Sequence, residues 1–376
     1  YNRPPAPAMY SFVLCFVGTL LLKIPAARCD CPCEDASLCN PVTAGPRPEV
    51  VGFVTSLNNY IFYNWSEITT LALFTGAEYS YPLMCYAHEN EARVVLGVSF
   101  DVTQLGNATK RQGWVADQLA NVQKLFADGI NIDIEDPIGK GTAEMKQLVL
   151  LVIEAYTAFK MANRNYQVTF DVAWSPDCID GRCYDAVGLA AAVDFLIVMS
   201  YDQRSQIFGD CTASANSALI TTEDGIKKYI IEGVPAQSLV LGLPWYGYDY
   251  PCLSVSTDDI CTIPEVPFRG VNCSDAAGTQ VPYSGVCDLL TKSTSGRIWN
   301  TSLSSPYFDY VAPGGGVHQV WYDDPDSLTL KYQFANKIGL KGLAFWNVDC
   351  LDYSSSGKVR TVAMWKAISA FFDGQN

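Results

Sequence analysis

Residues 128–135 read DGINIDIE, a run in which polar and apolar side chains alternate. In a β-strand this alternation places Asn131, Asp133 and Glu135 on one face and the three isoleucines on the other. In a barrel the isoleucines would meet the outer helices, and the polar row would point inward. Because burying an unpaired carboxylate is costly, such a row needs hydrogen-bond partners or a function.

Short apolar runs recur along the chain and are rich in Val, Ile, Leu and Phe, as expected of strands buried on both faces. We predict eight strands, at Val50–Thr55, Thr69–Phe74, Arg93–Phe100, Ile130–Glu135, Val168–Trp174, Phe195–Tyr201, Leu239–Trp245 and Leu343–Val348. Helix-compatible stretches accompany them, at 113–127, 142–163, 221–231 and 359–372. This alternation implies a parallel sheet, and eight such strands predict an α/β fold, a (β/α)8 or TIM barrel over residues 49–376.

One gap interrupts the alternation of strands and helices. About 95 residues separate the seventh predicted strand from the eighth, and structureless loops of that length are rare. We therefore predict a small α+β insertion between strands 7 and 8, at about residues 250–318, at the mouth of the barrel.

The N-terminus has the features of a secretory signal peptide. Residues 9–22 form one apolar run, MYSFVLCFVGTLLL, preceded by Arg3 and followed by small alanines. The run is shorter than the roughly 20 residues that a membrane span needs. We therefore predict a signal peptide over residues 1–29 and a cysteine-rich leader over 30–48, with an uncleaved signal anchor as the alternative. After removal of the signal we expect no membrane association.

Cysteine usage agrees with secretion. Of the 14 cysteines, Cys15 and Cys29 fall within the predicted signal, and the even number that remains allows up to six disulfides. Cys178 with Cys183, and Cys252 with Cys261, could close small loops, although the sequence does not determine the connectivity. Four N-x-S/T sequons predict glycosylated surface loops, at Asn64, Asn107, Asn272 and Asn300.

Composition excludes several classes of function. The chain has 376 residues and a net charge of −14, which argues against nucleic-acid binding because phosphate contacts need clustered Lys and Arg. It contains only two histidines, His88 and His318, so a multi-histidine metal site is excluded, and we expect structural or surface roles for both. The Cys31-Pro-Cys33 cluster has no histidine near it, which argues against zinc. We therefore expect hydrolytic chemistry based on carboxylates, with no metal and no cofactor.

The end of the fourth strand is the candidate site, since active sites of such barrels lie at the carboxyl ends of the strands. Glu135 would project from the tip, with Asp133 one layer below. Two close carboxylates disfavour double ionisation, so one pKa rises, which suits a general acid. The alternatives are an ordinary strand with a solvated polar face and a divalent-cation site.

The pattern D-G-x-D-x-D-x-E at the fourth strand resembles the motif of family 18 glycoside hydrolases, the chitinases and their relatives. Further similarities follow in chain order: MSYD at 199–202, GLPWYG at 242–247 and Trp346. Two features depart from the family pattern. Asn131 stands where the family usually has an aspartate, which alters the shared-proton relay from that position to the next Asp. The third-strand Ser-x-Gly-Gly motif is replaced by LGVSFD at 96–101, which weakens any expectation of long-polymer chitin binding.

The resemblance implies a retaining, substrate-assisted mechanism, which is an exception to the usual two-carboxylate scheme of glycosidases. Glu135 would be the proton donor and later the base. The substrate's 2-acetamido oxygen would attack the anomeric carbon, while Asp133 orients the acetamido N–H and Tyr201 binds its carbonyl oxygen.

The resemblance also implies substrate-binding residues. Asn131 would support Asp133, Asp202 would touch the sugar or adjust Glu135, and Trp346 would form the apolar floor. Met199 would pack in the core and contact the pocket. Each residue has a structural alternative: core packing for Trp346, an ordinary buried tyrosine for Tyr201, and a helix cap for Asp202.

Within the family, the Cys31-Pro-Cys33 leader and the stretches VTFDVAWSP (168–176) and WYGYDY (245–250) are similar to a lysosomal branch. That branch splits the GlcNAcβ1-4GlcNAc core of N-linked glycans. The resemblance implies an exo-acting, monomeric lysosomal hydrolase of GlcNAc-containing oligosaccharides, acting from the reducing end with an acidic pH optimum. A secreted location is the alternative. An endo-acting chitinase, a non-catalytic chitinase-like lectin and a structural glycoprotein are the competing functions.

Overall fold

The computed structural model describes residues 31–74 and 79–373. The predicted signal peptide, with Cys15 and Cys29, lies outside the described residues. In the described part of the chain, fifteen strands are formed: β1 (Glu49–Val54), β2 (Thr70–Leu73), β3 (Arg93–Val98), β4 (Gly129–Ile132), β5 (Gln167–Ala173), β6 (Phe195–Met199), β7 (Leu239–Pro244), β8 (Tyr246–Pro251), β9 (Ser254–Val255), β10 (Cys261–Thr262), β11 (Thr279–Pro282), β12 (Ile298–Asn300), β13 (Ser305–Val311), β14 (Val317–Trp321) and β15 (Gly342–Trp346).

The α-helices follow the strands of the barrel and close the chain. They are α1 (Tyr81–Glu89), α2 (Ala108–Leu125), α3 (Ala143–Ala162), α4 (Ala186–Ala190), α5 (Leu219–Glu232), α6 (Tyr283–Leu290), α7 (Pro325–Lys337), α8 (Lys358–Ala367) and α9 (Ser369–Phe372). Short 3-10 helices occur at Ala36–Cys39, Tyr60–Phe62, Val102–Gln104, Ile179–Gly181, Ala236–Ser238, Asp275–Ala277 and Val348–Cys350. Across residues 31–74 and 79–373, none of the helices has both the length and the apolar character that crossing a bilayer requires.

Eight parallel strands close into a barrel in the order β1-β15-β7-β6-β5-β4-β3-β2. All eight predicted strands are therefore confirmed, and so is the (β/α)8 fold. The last barrel strand is β15 because β8 to β14 belong to the segment between the seventh and eighth barrel strands.

The strand that carries the polar row is shorter than predicted. β4 ends at Ile132 and not at Glu135. The Asp133 N–H still donates to the Val98 carbonyl at 2.8 Å, but the chain then leaves the barrel and pairs with the loop after β5. There the Ile138 N–H donates to the Gly181 carbonyl, and the Cys183 N–H donates to the Ile138 carbonyl.

The alternation in 128–135 works as predicted. Ile130, Ile132 and Ile134 are fully buried in the layer between the strands and the helices, and Asn131 is fully buried on the opposite face. A second, smaller core fills the barrel interior and includes Phe53. The polar row therefore lies inside the barrel, on the side away from the helices.

The first two residues of the motif anchor the amino end of β4. The Asp128 carboxylate is fully buried and accepts hydrogen bonds from the backbone N–H groups of Val42 and Val94, and it contacts His88 Nε2 at 2.8 Å. Gly129 has φ of +150°, and a Cβ there would lie 1.8 Å from the Gln167 carbonyl oxygen. The neighbouring β5 therefore requires glycine at this position. The expected structural role of His88 is confirmed.

The segment between β7 and β15 forms its own sheet beside the barrel. Its five strands are antiparallel neighbours in the order β11-β8-β14-β13-β12, and α6 joins two of them. This sheet begins at Tyr246 and ends at Trp321. His318 lies on β14 and contacts Asp249 at 2.8 Å, so it has a structural partner in this sheet.

Among the described residues, disulfides join Cys33–Cys85, Cys178–Cys183, Cys211–Cys273 and Cys252–Cys261, and Cys31 and Cys39 are disulfide-bonded as well. The two small loops expected from sequence spacing are therefore confirmed. Among the described cysteines, Cys287 and Cys350 are buried free thiols. The full set of six pairs that the even count allowed is therefore not formed.

Candidate active site

Asn131, Asp133 and Glu135 form a gradient of exposure from the barrel interior to its mouth. Asn131 is fully buried, Asp133 is half-buried, and the Glu135 side chain is 53% exposed. The strand ends below Asp133, so Glu135 belongs to the irregular segment that follows β4. The sequence therefore predicted the face of these side chains correctly, but Glu135 is held by a loop and not by the strand.

The Asn131 amide is held by two residues of β5. Its Nδ2 donates to Thr169 Oγ1 at 2.9 Å and to Asp171 Oδ1 at 2.8 Å. Asp171 is 2% exposed. Burial raises the pKa of Asp171 well above its ordinary value, the charge of Asp133 raises it further, and the hydrogen bond from Asn131 opposes the shift.

Asp133 is a carboxyl that resists ionisation. Burial and the nearby charge of Glu135 raise its pKa to about 7, while the positive charge of Arg182 lowers it. The expectation that one carboxyl of the pair has a raised pKa is met at Asp133. At acidic pH this group is therefore protonated and able to donate a hydrogen bond.

Glu135 is paired with an arginine. Arg182 Nη1 donates to Glu135 Oε2, and Arg182 Nη2 donates to Asp180 Oδ2 at 3.0 Å. The arginine side chain is only 7% exposed. The buried guanidinium therefore joins a carboxylate of the segment after β4 to one of the loop after β5, and its positive charge lowers the pKa of Asp133.

The loop that carries Arg182 forms a wall beside Glu135, and we call it the β5 loop (residues 178–184). The Cys178–Cys183 disulfide closes it. Arg269, from the inserted segment, donates to the Asp180 carbonyl at 2.6 Å and approaches the Glu135 carbonyl at 3.4 Å. The wall is thus built from the β5 loop and from the insertion, and it fixes the backbone on which Glu135 stands.

Tyr201 and Met199 lie at the carboxyl end of β6, and both are 8% exposed. Burial raises the pKa of the Tyr201 hydroxyl well above its ordinary value, and the charges of Asp171 and Asp133 raise it further. The Tyr201 hydroxyl therefore stays neutral beside the carboxyls of Asp171 and Asp133. Its ring packs edge-on against Tyr246 at 6.2 Å between centroids.

Asp202 does not cap a helix. Its Oδ1 accepts hydrogen bonds from the hydroxyls of Tyr246 and Tyr248, and its backbone N–H donates to Asn216 Oδ1 at 2.8 Å. Its backbone has φ of +49°, in the left-handed region. Burial raises the pKa of Asp202, the two tyrosine hydrogen bonds lower it, and the charge of Glu135 raises it. Asp202 is thus linked electrostatically to Glu135.

Trp346 ends β15, which is diametrically opposite β4 in the barrel order. Its ring lies 5.3 Å from the Phe53 ring and 5.5 Å from the Phe74 ring, at the upper edge of the inner core, and it is partly buried. The indole therefore packs against the aromatic residues of the inner core at the carboxyl end of the barrel.

The structure brings most of the predicted site residues into one electrostatic group. The charge of Glu135 acts on Asp133, Tyr201 and Asp202, and Asn131 donates a hydrogen bond to Asp171, whose charge acts on Tyr201. Met199 is the last residue of β6, two residues before Tyr201, whereas Trp346 is across the barrel. Within the described residues, no three of these carboxylates come close enough together to hold one metal ion.

Sequence reasoning missed Asp171 and Arg182. Asp171 is the one charged residue inside the apolar run of β5, and that isolated charge was a signal that it has a buried partner. Arg182 lies between Gly181 and Cys183 in an irregular loop. Nothing in its position along the chain indicated a contact with Glu135. Only the fold brings these residues to the site.

Comparisons with known proteins agree with this geometry. The family model described as glycosyl hydrolases family 18 matches residues 97–350. The chain is 46% identical to di-N-acetylchitobiase of Mus musculus over 93% of this chain and 96% of that protein. It is 44% identical to di-N-acetylchitobiase of Homo sapiens over 91% of this chain and 89% of that protein.

Solved structures show the same fold. A class V chitinase from Nicotiana tobaccum, solved in complex with NAG4, superposes with a TM-score of 0.68 at 18% identity, over 85% of this chain and 99% of that chain. At this identity the similarity concerns the barrel alone. The sequence relatives carry the information about the chemistry.

Proposed function

The chain belongs to glycosyl hydrolases family 18 and is a glycoside hydrolase, and from this premise we propose that it hydrolyses the GlcNAcβ1-4GlcNAc (chitobiose) core of N-linked glycan fragments. The observation that carries the proposal is the linked pair of Asp133 and Glu135 at the mouth of the barrel. The pair combines a carboxyl with raised pKa and an exposed carboxylate. The name of the mouse and human relatives supports the choice of a chitobiose-type linkage.

We propose that the reaction is retaining and substrate-assisted. Glu135, the most exposed of the carboxyl groups, donates a proton to the glycosidic oxygen and then activates the water. Asp133 orients the acetamido N–H and balances the positive charge of the oxazolinium intermediate. Tyr201, whose hydroxyl stays neutral, donates to the acetamido carbonyl oxygen. This division of labour agrees with their order from mouth to interior.

The remaining residues bind or support. Asn131 holds Asp133 from below, and Asp202 acts on the sugar or on Glu135 while its two tyrosine hydrogen bonds hold it in place. Trp346 provides the floor, and Met199 packs beneath Tyr201. No cofactor takes part in the proposed reaction.

We propose exo action at the reducing end because of the wall beside Glu135. The β5 loop and Arg269 stand next to the group that protonates the leaving sugar. Such a wall would leave room for a short leaving group and would obstruct a long chain. The proposed partners are GlcNAc-containing oligosaccharides, bound by a monomer.

The proposed compartment is the lysosome, reached through the secretory route, with secretion as the alternative. The disulfides among the described residues support an oxidising compartment. The four sequons support passage through the glycosylation machinery.

The test is product analysis with chitotetraose, either free or reduced at its terminal sugar, near pH 4. We expect release of single GlcNAc from the free form and resistance of the reduced form. Internal cleavage of both forms to the dimer would show an endo-acting chitinase. Binding without any cleavage would favour a lectin.

Glu135→Gln provides the matched control for this test. It keeps the size of the side chain and removes the transferable proton, so turnover is expected to fall by about three orders of magnitude or more. Circular dichroism and the melting temperature should stay close to wild type. Substantial turnover by this folded variant would contradict the assignment of Glu135.

A further inference from the structure

Asp171 lies on the inner face of β5, directly beside the row on β4. In the parallel register Asn131 is opposite Thr169 and Ile132 is opposite Phe170. Continuing this register by one residue brings Asp133 opposite Asp171, on neighbouring strands about 4.8 Å apart. Two carboxyl side chains on the same face of adjacent strands are direct neighbours.

Two buried acceptor atoms of Asn131 and Asp133 lack a donor among the described residues. Both N–H groups of the Asn131 amide are used, toward Thr169 and Asp171. Asn131 Oδ1 and Asp133 Oδ1 are buried and accept no hydrogen bond from the described residues. Both atoms are acceptors, so a protonated carboxyl is the donor that the site itself can supply.

The charges around Asp171 lead to the same conclusion. It faces the carboxylates of Asp133 and Glu135, and its charge in turn affects the Tyr201 hydroxyl. The positive charge of Arg182 acts on Asp133. Two neighbouring carboxyls in such a site disfavour double ionisation, so Asp133 and Asp171 titrate as a pair.

We propose that Asp171 is a positioning residue of this active site and that it shares one proton with Asp133. Asp171 also holds the side-chain amide of Asn131, so that the Asn131 Oδ1 atom is available to the Asp133 carboxyl. At rest the proton is on Asp133, and Asp171 is the anion that accepts from Asn131 Nδ2. This inference rests on the proposed function for the role that Asp133 plays in the reaction.

The proposed step moves one proton and no other atom. When Asp133 turns to the substrate, its O–H bond breaks and an O–H bond forms on Asp171. The negative charge passes from Asp171 to Asp133, where it can stabilise the positive intermediate. The pair carries one negative charge before and after, and the reverse transfer resets the site.

Asp171→Asn tests the proposal because it keeps the shape and the hydrogen bond to Asn131 and removes the proton acceptor. We expect kcat to fall at least tenfold with KM within about twofold of wild type. The alkaline limb of the kcat/KM profile should move to lower pH, because Asp133 then releases its proton without a neighbouring carboxylate opposing it.

The double variant Asn131→Asp with Asp171→Asn exchanges the amide and the carboxyl across the 2.8 Å contact. It is expected to regain most of the lost kcat and to return the alkaline limb toward wild type. If Asp171→Asn keeps wild-type kcat and pH profile, Asp171 is only a hydrogen-bond acceptor and the proposal is wrong. Failure of the exchange to recover either quantity would also overturn it.

Two further variants keep the test informative if Asp171→Asn does not fold. Asn131→Asp alone adds a third carboxyl to the group and should move the alkaline limb to higher pH; an unmoved limb counts against the proposal. Thr169→Val is the matched control, since it removes the other partner of Asn131 without changing any charge. Thr169→Val should lower the melting temperature and leave the alkaline limb of the kcat/KM profile in place. A shift of that limb in Thr169→Val would mean that altered packing of Asn131, and not a shared proton, causes the shifts in the other variants.

A readout without substrate separates this proposal from the proposed function. Because the Asp133–Asp171 pair keeps its shared proton to higher pH in the folded state than in the unfolded state, wild type loses stability as pH rises from about 4 to 7. Asp171→Asn should show a smaller loss of melting temperature over that range. An identical loss in the two proteins would overturn the shared proton, whether or not the enzyme cleaves chitobiose.

Discussion

The pairing of Glu135 with Arg182 sets two demands on one carboxylate. In the proposed reaction Glu135 first donates a proton to the leaving group and later takes one from water. Arg182 donates a hydrogen bond to the same carboxylate. The entering substrate must therefore compete with Arg182 for Glu135.

We predict that Arg182→Met moves the alkaline limb of the kcat/KM profile to higher pH. Arg182 lowers the pKa of Asp133. Removal of the arginine therefore raises that pKa, and Asp133 stays protonated to higher pH. Turnover should also fall roughly tenfold or more, since Glu135 loses the contact that orients it. Arg182→Lys retains the charge, so its turnover and its alkaline limb should lie between those of wild type and Arg182→Met.

Arg111→Met is the matched control for this measurement. Arg111 is as deeply buried as Arg182 and pairs with Glu154 at 3.0 Å between α2 and α3, away from the carboxylate group. Both methionine variants should lose stability, because Arg182→Met leaves the buried Asp180 without its arginine and Arg111→Met does the same to the partly buried Glu154. Only Arg182→Met should shift the pH profile, and a shift in both would show that the effect is a general loss of stability.

At the scale of elements, β4 is held at its amino end and released at its carboxyl end. Asp128 and Gly129 fix the lower end through the Asp128 hydrogen bonds and through close contact with β5. Beyond Asp133 the chain turns to pair with the β5 loop. The fixed lower end of β4 and the loop that carries Glu135 together place this exposed carboxylate at the mouth of the barrel.

We predict that Gly129→Ala destabilises the protein by about 3 kcal/mol or more, because the added Cβ meets the β5 backbone and the φ is one that alanine avoids. Urea denaturation of the variant and wild type measures this. Gly113→Ala, in the middle of α2, is the control. Open space surrounds its Cβ position, so it should be neutral or stabilising by about 0.5–1 kcal/mol. Equal stability of the two variants would contradict the close packing of β4 on β5.

At the scale of the whole molecule, many buried acidic groups favour folding at acidic pH. Burial and neighbouring charges raise the pKa of Asp133 and of Asp275 to about 7 each. Asp171 and Asp202 are raised as well. Burial disfavours the charged form of His88, but the hydrogen bond and charge of Asp128 outweigh it and raise its pKa.

These shifts have the same sign in their effect on stability. A carboxyl whose pKa is higher in the folded state binds more protons when folded, so stability falls as pH rises from about 4 to 7. The raised pKa of His88 adds a further loss as pH rises above about 6.5. We predict a melting temperature that is several degrees higher at pH 5 than at pH 7.5, measured by differential scanning calorimetry. A flat or rising melting temperature over this range would contradict the shifts.

Much of the fold and of the site was accessible from local pattern. The eight barrel strands were recognised because burial on both faces demands continuous apolar runs. The two-residue period of a strand predicted that Asn131, Asp133 and Glu135 share one face. The motif around them, with Tyr201 and Trp346 in order along the chain, pointed to family 18.

The carboxyl end of β4 shows where such reasoning stops. The alternation continues to Glu135, but the ladder ends at Ile132, because the chain beyond it gains hydrogen bonds from the β5 loop that no local pattern encodes. For the same reason the sequence could not reveal that Glu135 has a buried arginine as its partner.

The sequence by itself determined which residues point into the barrel, since that depends only on backbone geometry and on the cost of exposing apolar side chains. The tertiary structure alone decided their partners. Asp171 and Arg182 stand 40 and 47 residues from Asn131 and Glu135 along the chain. Their contacts depend on the β4–β5 register and on a disulfide-closed loop. Such neighbours set the protonation of the site residues, so only the tertiary structure determines the chemistry of the site.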